Sequence, residues 1–286
     1  MIPSAFDYVA ATTVEEALAA LSQAGDDGKI LAGGQSLVPV LRLRLATPTT
    51  VVDLNKISEL RGVREDGDVI VVGAMTTHHD VLHDPLVREH AALLALATQT
   101  VGDPQIRHRG TLGGALVHAD PAGDLLAPVV ALDAEMVIVG PGGRRTVPAA
   151  EFFVDLFTTA VEPDEVLVEV RIPKKTGWGA HYEKFQRVAQ AWSIVAVAAA
   201  VRIEGGSIAE ARVALTNMAA TPVRATGVEQ ALAGQPATVE VIRAAAEHAA
   251  EGASPMSDGN ADADYREHLA RVLTGRAIAA AAGVEG

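Results

Sequence analysis

The chain predicts an α+β protein, and three observations carry that prediction. Residues 13–54 alternate helix, strand, helix, strand. Residues 193–282 run from a strand hairpin into three helices. Between them, at PKKTGWGA (173–180), the composition turns basic and glycine-rich. Alternation points to helices laid on a sheet in the first part, and strands followed by helices point to segregated layers in the second. The main boundary is therefore placed at residue 176. A first domain covers 1–176, divided into subdomains of about 1–57 and 58–176, and a second covers 177–286.

The elements follow in order. TVEEALAALSQ (13–23) has apolar residues at helical spacing behind Thr12 or Thr13 as cap. KILA (29–32) is a short strand, followed by Gly33–Gly34. SLVPVLRLRL (36–45) is a helix with Ser36 as N-cap and Pro39 in its first turn, where a missing N–H is tolerated. TVVDL (50–54) and VIVVG (69–73) are strands, and residues 77–100 are helical, divided by Pro85. LLAPVVALDAEMVIVG (125–140) passes from helix to strand, VPAAEFFVDLF (147–157) has a helical period, and EVLVEVRIP (165–173) is a strand. Past the boundary, HYEKFQRV (181–188) is extended and 193–218 is a hairpin turning at Glu-Gly-Gly-Ser. Helices are expected over 221–234, 238–252 and 262–282.

Composition narrows the function classes. At 286 residues and 49% hydrophobic, the chain can bury a large core and is not disordered overall. It has no cysteine, so it makes no disulfide, zinc-thiolate site or iron–sulfur cluster; any such cluster sits on a partner. A net charge of −13 disfavours nucleic acid. MIPSAFDYVA lacks the basic start and apolar core of a secretion signal, and the apolar run IVAVAAAV (194–201) is too short to span a bilayer. A soluble cytoplasmic protein with no integral membrane segment is expected.

Two Gly-Gly loops, LAGGQS and RGTLGGALVHA, lie about eighty residues apart. Glycines let backbone approach a ligand closely, and a strand–turn–helix junction aims free N–H groups at an anion. Two such loops could clamp a pyrophosphate. Either alone is more often an ordinary turn. GxGxxG, GxxxxGK[ST] and GxSxG are all absent, which removes the dinucleotide fingerprint, the P-loop and the nucleophile elbow. His79 and His83 stand four apart on one helix face, and His118, Asp120 and Asp124 form a second possible ligand set; a helix surface and a cofactor loop are the preferred readings. Arg107 and Arg109 flank His108 and suit phosphate steering, a partner surface or plain salt bridges.

AGGQSLVPVLRLRL (32–45), GDPQIRHRGTLGGALVHADPAGDL (102–125) and YEKFQR (182–187), in this order and spacing, resemble the FAD-binding medium subunits of the molybdenum hydroxylases, the xanthine dehydrogenase family. The nearest look is to its carbon monoxide dehydrogenase branch. ALTNMAATPVRA (214–225) and SDGNADADYREHLARVL (257–273) extend the resemblance into the C-terminal domain, so that it covers nearly the whole chain. It implies a two-subdomain FAD-binding fold of the vanillyl-alcohol oxidase type, followed by a smaller α+β domain of antiparallel strands and helices.

Residue by residue, the resemblance places Ala32, Gly33, Gly34, Gln35, Ser36 and Leu37 in a first FAD loop and Thr111, Gly113 and Gly114 in a second. It makes Asp124 a carboxylate that meets cofactor hydroxyls, sets Lys184 near the flavin, and puts Leu167 beside a backbone contact on the adenine side. Trp192 falls where relatives place an aromatic near the isoalloxazine; flavin stacking and ordinary packing are equally open. Two positions depart from the family: Ala115 replaces a frequent Asn, and Gln35 a frequent His.

The implied role is electron transfer. A large subunit holds the molybdenum cofactor, a small one holds [2Fe-2S] clusters, and FAD on this chain passes electrons to an external acceptor within a dimer of heterotrimers, a heterohexamer. The inner membrane face, reached through partners, is a second setting beside the cytoplasm. No residue of this chain is then an acid–base catalyst for the primary substrate. Carbon monoxide is the first expectation for that substrate; quinone, NAD and oxygen are open as acceptors. The competing readings are a non-redox nucleotide-binding or assembly module that keeps the fold, and a free-standing flavin oxidase.

Overall fold

Hydrophobic residues in a strand face alternate sides, so a sheet covered on both faces needs apolar residues at successive positions. The computed structural model describes residues 2–284 and contains three layers, each built on a sheet, whose central strands are buried and whose edge strands are more exposed. The first is built from β1 (Asp7–Ala10), α1 (Val14–Ala24), β2 (Gly28–Leu31), α2 (Leu37–Arg42) and β3 (Thr50–Asp53), with the strands parallel in the order β1-β3-β2. Thr13 caps α1 by accepting the Glu16 N–H, and Glu16 reaches back to the N–H and hydroxyl of Thr12, both at 2.7 Å. Both threonines thus serve the helix start. β1 carries no apolar alternation and was not expected. α2 is shorter than 36–45: it stops at Arg42, and Arg44 turns left-handed at φ 57°. Ser36 makes no capping bond, because its backbone (φ −106°, ψ −50°) lies outside the extended region a cap requires.

The second layer begins with β4 (Val63–Asp66) and β5 (Val69–Gly73). The helices α3 (His78–His83), α4 (Pro85–His90), α5 (Ala92–Gln99), α6 (Pro104–Arg107), α7 (Leu112–His118) and α8 (Leu126–Ala131) follow. Next come β6 (Glu135–Gly140), β7 (Gly143–Pro148), the single turn α9 (Ala149–Phe152), a small hairpin of β8 (Phe153–Asp155) and β9 (Thr158–Thr159), and β10 (Val166–Pro173). The main sheet is antiparallel, ordered β4-β5-β10-β6-β7. The helix expected over 147–157 does not persist beyond α9. Burial of the adjacent Phe152 and Phe153, whose rings meet edge-on at 5.1 Å, overrides the period, and Phe157 turns left-handed at φ 53°. Val137, Val166 and Val168 pack one face of the sheet on the first layer, while Ile70, Val72, Ile138 and Ile172 pack the other on the helices.

The third layer holds β11 (Gly179–Phe185), β12 (Val195–Glu204), β13 (Ser207–Thr216) and β14 (Val223–Arg224), antiparallel in that order, with α10 (Thr226–Leu232), α11 (Val239–Ala246) and α12 (Ala263–Ala282). The segment VAVAAAV shows why both its faces are covered. Val195, Val197 and Val201 point to the C-terminal helices. Ala196, Ala198 and Ala200 point to the second layer, where their small side chains admit α5 and α8. The SDGN tail motif is structural here. Arg266, almost fully buried, donates to the Ile194 carbonyl and pairs with Asp258 at 2.8 Å. The Asn260 and Ala261 N–H groups, together with Arg266, hold the Asp258 carboxyl down to about 2.

Candidate cofactor site

Loops at the carboxyl ends of parallel strands share one edge, and ligands of such sheets bind there. β2 runs into Ala32–Gly33–Gly34, with Gly34 at φ 76°, while β3 ends at the buried Asp53 on the same edge. A cavity of about 580 Å³ opens here, lined by residues 32–35, Arg42, Asp53, Asn55 and Arg109. Among the described residues, no backbone amide from 32 to 37 has an acceptor within the chain. That leaves a run of donors facing a cavity that carries two arginines, in a chain of net charge −13. Neither Arg42 nor Arg109 forms an ion pair among the described residues. Unsatisfied amides and basic side chains together suit a diphosphate, so the residues present fit the anionic part of FAD.

The second glycine loop is built differently. Thr111 caps α7 by accepting the Gly114 N–H at 3.1 Å. The Leu112 N–H donates to the Thr76 carbonyl at 3.0 Å, and the Gly113 N–H to that of Ala74 at 2.8 Å. These three amides are committed inside the protein, and what remains is the buried Thr111, whose hydroxyl proton and backbone N–H have no acceptor among the described residues. Gly113 is needed for packing, since a Cβ there would lie 2.6 Å from Ala74 Cβ and 2.7 Å from its carbonyl oxygen. Ala115, the departure from the family, lies in the first turn of α7 and donates its N–H to Thr111. The two loops touch: a Cβ on Gly33 would lie 2.6 Å from Gly110 Cα, and one on Gly114 would lie 3.2 Å from Ala32 Cβ.

Lys184 and Asp124 come together in a buried polar cluster. Lys184 Nζ donates to Asp124 Oδ2 at 2.8 Å and to the Thr100 carbonyl at 3.3 Å. Asp124 Oδ1 accepts from Tyr182 at 3.0 Å and from Ser193 at 2.9 Å. Burial pushes the Asp124 carboxyl above its ordinary value, with the Lys184 ammonium opposing, and burial also pushes the Tyr182 phenol well up. β11 contributes both Tyr182 and Lys184 from one face, so the cluster joins the second layer to the third. Both Asp124 oxygens are engaged by the protein.

The remaining positions separate clearly. Leu167 is a core residue of β10, which leaves only its backbone for a ligand. Trp192 does not pack in the core: it is 59% exposed on the loop between β11 and β12, near the exposed Val188. Gln35 turns its side-chain amide onto the Gly33 carbonyl at 3.1 Å. Arg107 donates to the carbonyls of Gln99, Val101 and Gly102, closing the end of α5, so of the two arginines only Arg109 faces the cavity. The His79 ring stacks on His108 at 3.9 Å and tilts against His83 at 4.3 Å. Asp120 accepts from the Ala122 N–H, and His118 lies against Phe157. Among the described residues, no three His, Asp or Glu side chains converge as metal ligands.

Sequence reasoning missed Asp53, Asn55, Tyr8 and Arg42. The available signal was DLN directly after the apolar run of β3, a polar group where a buried strand reaches its ligand edge.

Residues 4–175 match the family described as the FAD binding domain in molybdopterin dehydrogenase, and residues 180–281 match the CO dehydrogenase flavoprotein C-terminal domain. The chain is 43% identical to the carbon monoxide dehydrogenase medium chain of Hydrogenophaga pseudoflava, with 98% of each chain covered. It is 38% identical to the caffeine dehydrogenase subunit beta of a Pseudomonas species, covering 99% of this chain and 96% of that one. A structure of carbon monoxide dehydrogenase from Hydrogenophaga pseudoflava, lacking the Mo-pyranopterin moiety of its molybdenum cofactor, superposes with a TM-score of 0.95 at 44% identity, covering 98% of both chains. With both halves matched and the loops, cavity and sheets arranged as described, this chain belongs to the FAD-binding medium subunits of the molybdenum hydroxylases.

Proposed function

We propose that this chain is the flavoprotein subunit of a carbon monoxide dehydrogenase-like molybdenum hydroxylase. It would take electrons from iron–sulfur clusters on a small partner and pass them to an external acceptor, while a large partner oxidises the primary substrate at molybdenum. The observation that carries the reading is the row of unsatisfied amides from 32 to 37, beside Arg42 and Arg109, at the ligand edge of the parallel sheet. The division at residue 176 is supported by the second sheet ending at Pro173 and the third beginning at Gly179.

In this reading loop one binds the FAD diphosphate through main-chain N–H groups, and Arg42 and Arg109 offset the charge of the acidic chain. The Thr111 hydroxyl supplies a donor from the other side. Bound FAD supplies electron chemistry that accepts or releases electrons singly or in pairs. Lys184 holds positive charge in a dry region, balanced by Asp124, and Trp192 offers an exposed ring to the isoalloxazine or to a partner. No acid–base step on the primary substrate falls to this chain. The resemblance to a caffeine dehydrogenase subunit beta at 38% identity supports assigning substrate choice to the large partner.

The test is the visible spectrum of the purified full chain, alone and after incubation with FAD. Flavin bands that stay with the protein through gel filtration are expected. A protein that stays colourless, alone and when co-expressed with its partners, would sink this reading in favour of a non-redox module.

A further inference from the structure

A trans peptide unit is planar, with its C=O and N–H pointing in opposite directions. Fixing the carbonyl of one residue therefore aims the N–H of the next. In loop one that constraint repeats. Asn55 Nδ2 donates to the Ala32 carbonyl at 2.9 Å, which turns the Gly33 N–H the other way. Gln35 Nε2 donates to the Gly33 carbonyl at 3.1 Å, which turns the Gly34 N–H. The Val38 N–H holds the Gly34 carbonyl at 3.1 Å, and the Val40 N–H holds that of Ser36 at 3.2 Å, fixing the amides of Gln35 and Leu37. Two of these four anchors are side chains.

Asn55 is itself held firmly. Its Nδ2 and backbone N–H both donate to Asp53 Oδ1, at 2.6 and 2.8 Å, while Arg61 donates to its carbonyl and to Oδ1. Arg61 thereby fixes which end of the amide faces the loop. Asp53 Oδ2 accepts from Tyr8 on β1 at 2.5 Å, and that bond pushes the Tyr8 phenol up. A single polar chain, Tyr8–Asp53–Asn55–Ala32, thus crosses all three parallel strands and ends on the first residue of the loop.

We infer that Asn55 and Gln35 are positioning residues for the cofactor: they touch the loop's carbonyls and aim the Gly33 and Gly34 amides at the diphosphate. This rests on the FAD reading above. The experiment compares the flavin-free full chain with Asn55→Ala and with Gln35→Met, a variant of similar length without the donor. FAD affinity is read by flavin fluorescence, and folding by the thermal midpoint of the flavin-free form. Each variant should weaken FAD by about five- to tenfold, the effect of one oriented hydrogen bond. The flavin-free midpoint of Gln35→Met should match wild type, because its side chain is exposed. ADP, which carries the diphosphate, should lose affinity by the same factor, so its competition with FAD should not change, whereas adenosine, which does not use these amides, should compete better against the weakened FAD by that factor. Wild-type affinity for FAD in both variants overturns the inference. Should Asn55→Ala fail to fold, Gln35→Met decides alone. A wild-type chain that takes up no FAD, alone and when co-expressed with its partners, overturns the functional reading itself, and is thereby distinguished from failure of the positioning idea.

Discussion

The same dipeptide, Gly-Gly, follows a strand or loop at residue 33 and again at residue 113, and the two copies do different work. At the first, the chain's own acceptors are turned away and the amides from 32 to 37 are left without partners. At the second, the amides of 112 to 114 are committed to Thr76, Ala74 and Thr111. Gly34 is glycine because of its backbone conformation, φ 76°, with only the side chains of Val38 and Leu31 nearby; Gly113 is glycine because Ala74 backbone lies where its Cβ would be. A motif that promises an amide cradle keeps that promise only where tertiary contacts leave the amides free. The two sides of the expected clamp therefore differ: an amide-rich jaw rests on a rigid support that offers the hydroxyl and backbone N–H of Thr111.

The comparison can be broken most severely at the far end of the second segment. Lys184→Met leaves the Asp124 carboxylate buried without its cation, which costs about 3 kcal/mol or more. Urea denaturation of the flavin-free chain should show that loss; a midpoint equal to wild type would remove the pair from the joint between layers. Next, Gly113→Val should destabilise the flavin-free chain by about 3 kcal/mol through overpacking against Ala74. Loss of FAD with unchanged flavin-free stability would instead make Gly113 a direct cofactor residue. Gly34→Ala should cost only about 1 kcal/mol of stability, the strain of a left-handed alanine, yet lower FAD affinity because the loop's amides shift. Equal stability losses at residues 34 and 113 would erase the distinction.

The smallest effect is on pH. His78 donates its backbone N–H to the Gly110 carbonyl, and its ring lies against Gly110, beside the second loop. Burial lowers its imidazole from the ordinary 6.5 to about 4, with Arg107 adding to the shift. Between those values the unfolded chain binds the proton and the folded chain does not, so stability falls as pH drops from about 6.5 to about 4. His78→Phe should flatten that part of the profile in denaturation measured across the range. An unchanged slope would assign the pH dependence to other groups.

Much of this molecule was legible as sequence. Local periodicity and caps determined α1, β3, β5, the β12–β13 hairpin and the long α12, because burial alternation and Thr or Asp caps act over a few residues. The motif order carried the cofactor class and the family. What stayed hidden is non-local. β1 is an edge strand whose DYVA has no apolar alternation, and the helix expected at 147–157 yields to burial of Phe152 and Phe153. Asn55 and Asp53 matter only because three parallel strands bring Tyr8, Asp53 and Ala32 to one edge. The sequence by itself determined the helices and strands with strong local periodicity and which ligand chemistry the chain carries, since both are written in short runs. Only the tertiary structure decided which glycine loop keeps its amides free, because a backbone donor has no sequence identity and its fate depends on which carbonyl is packed beside it.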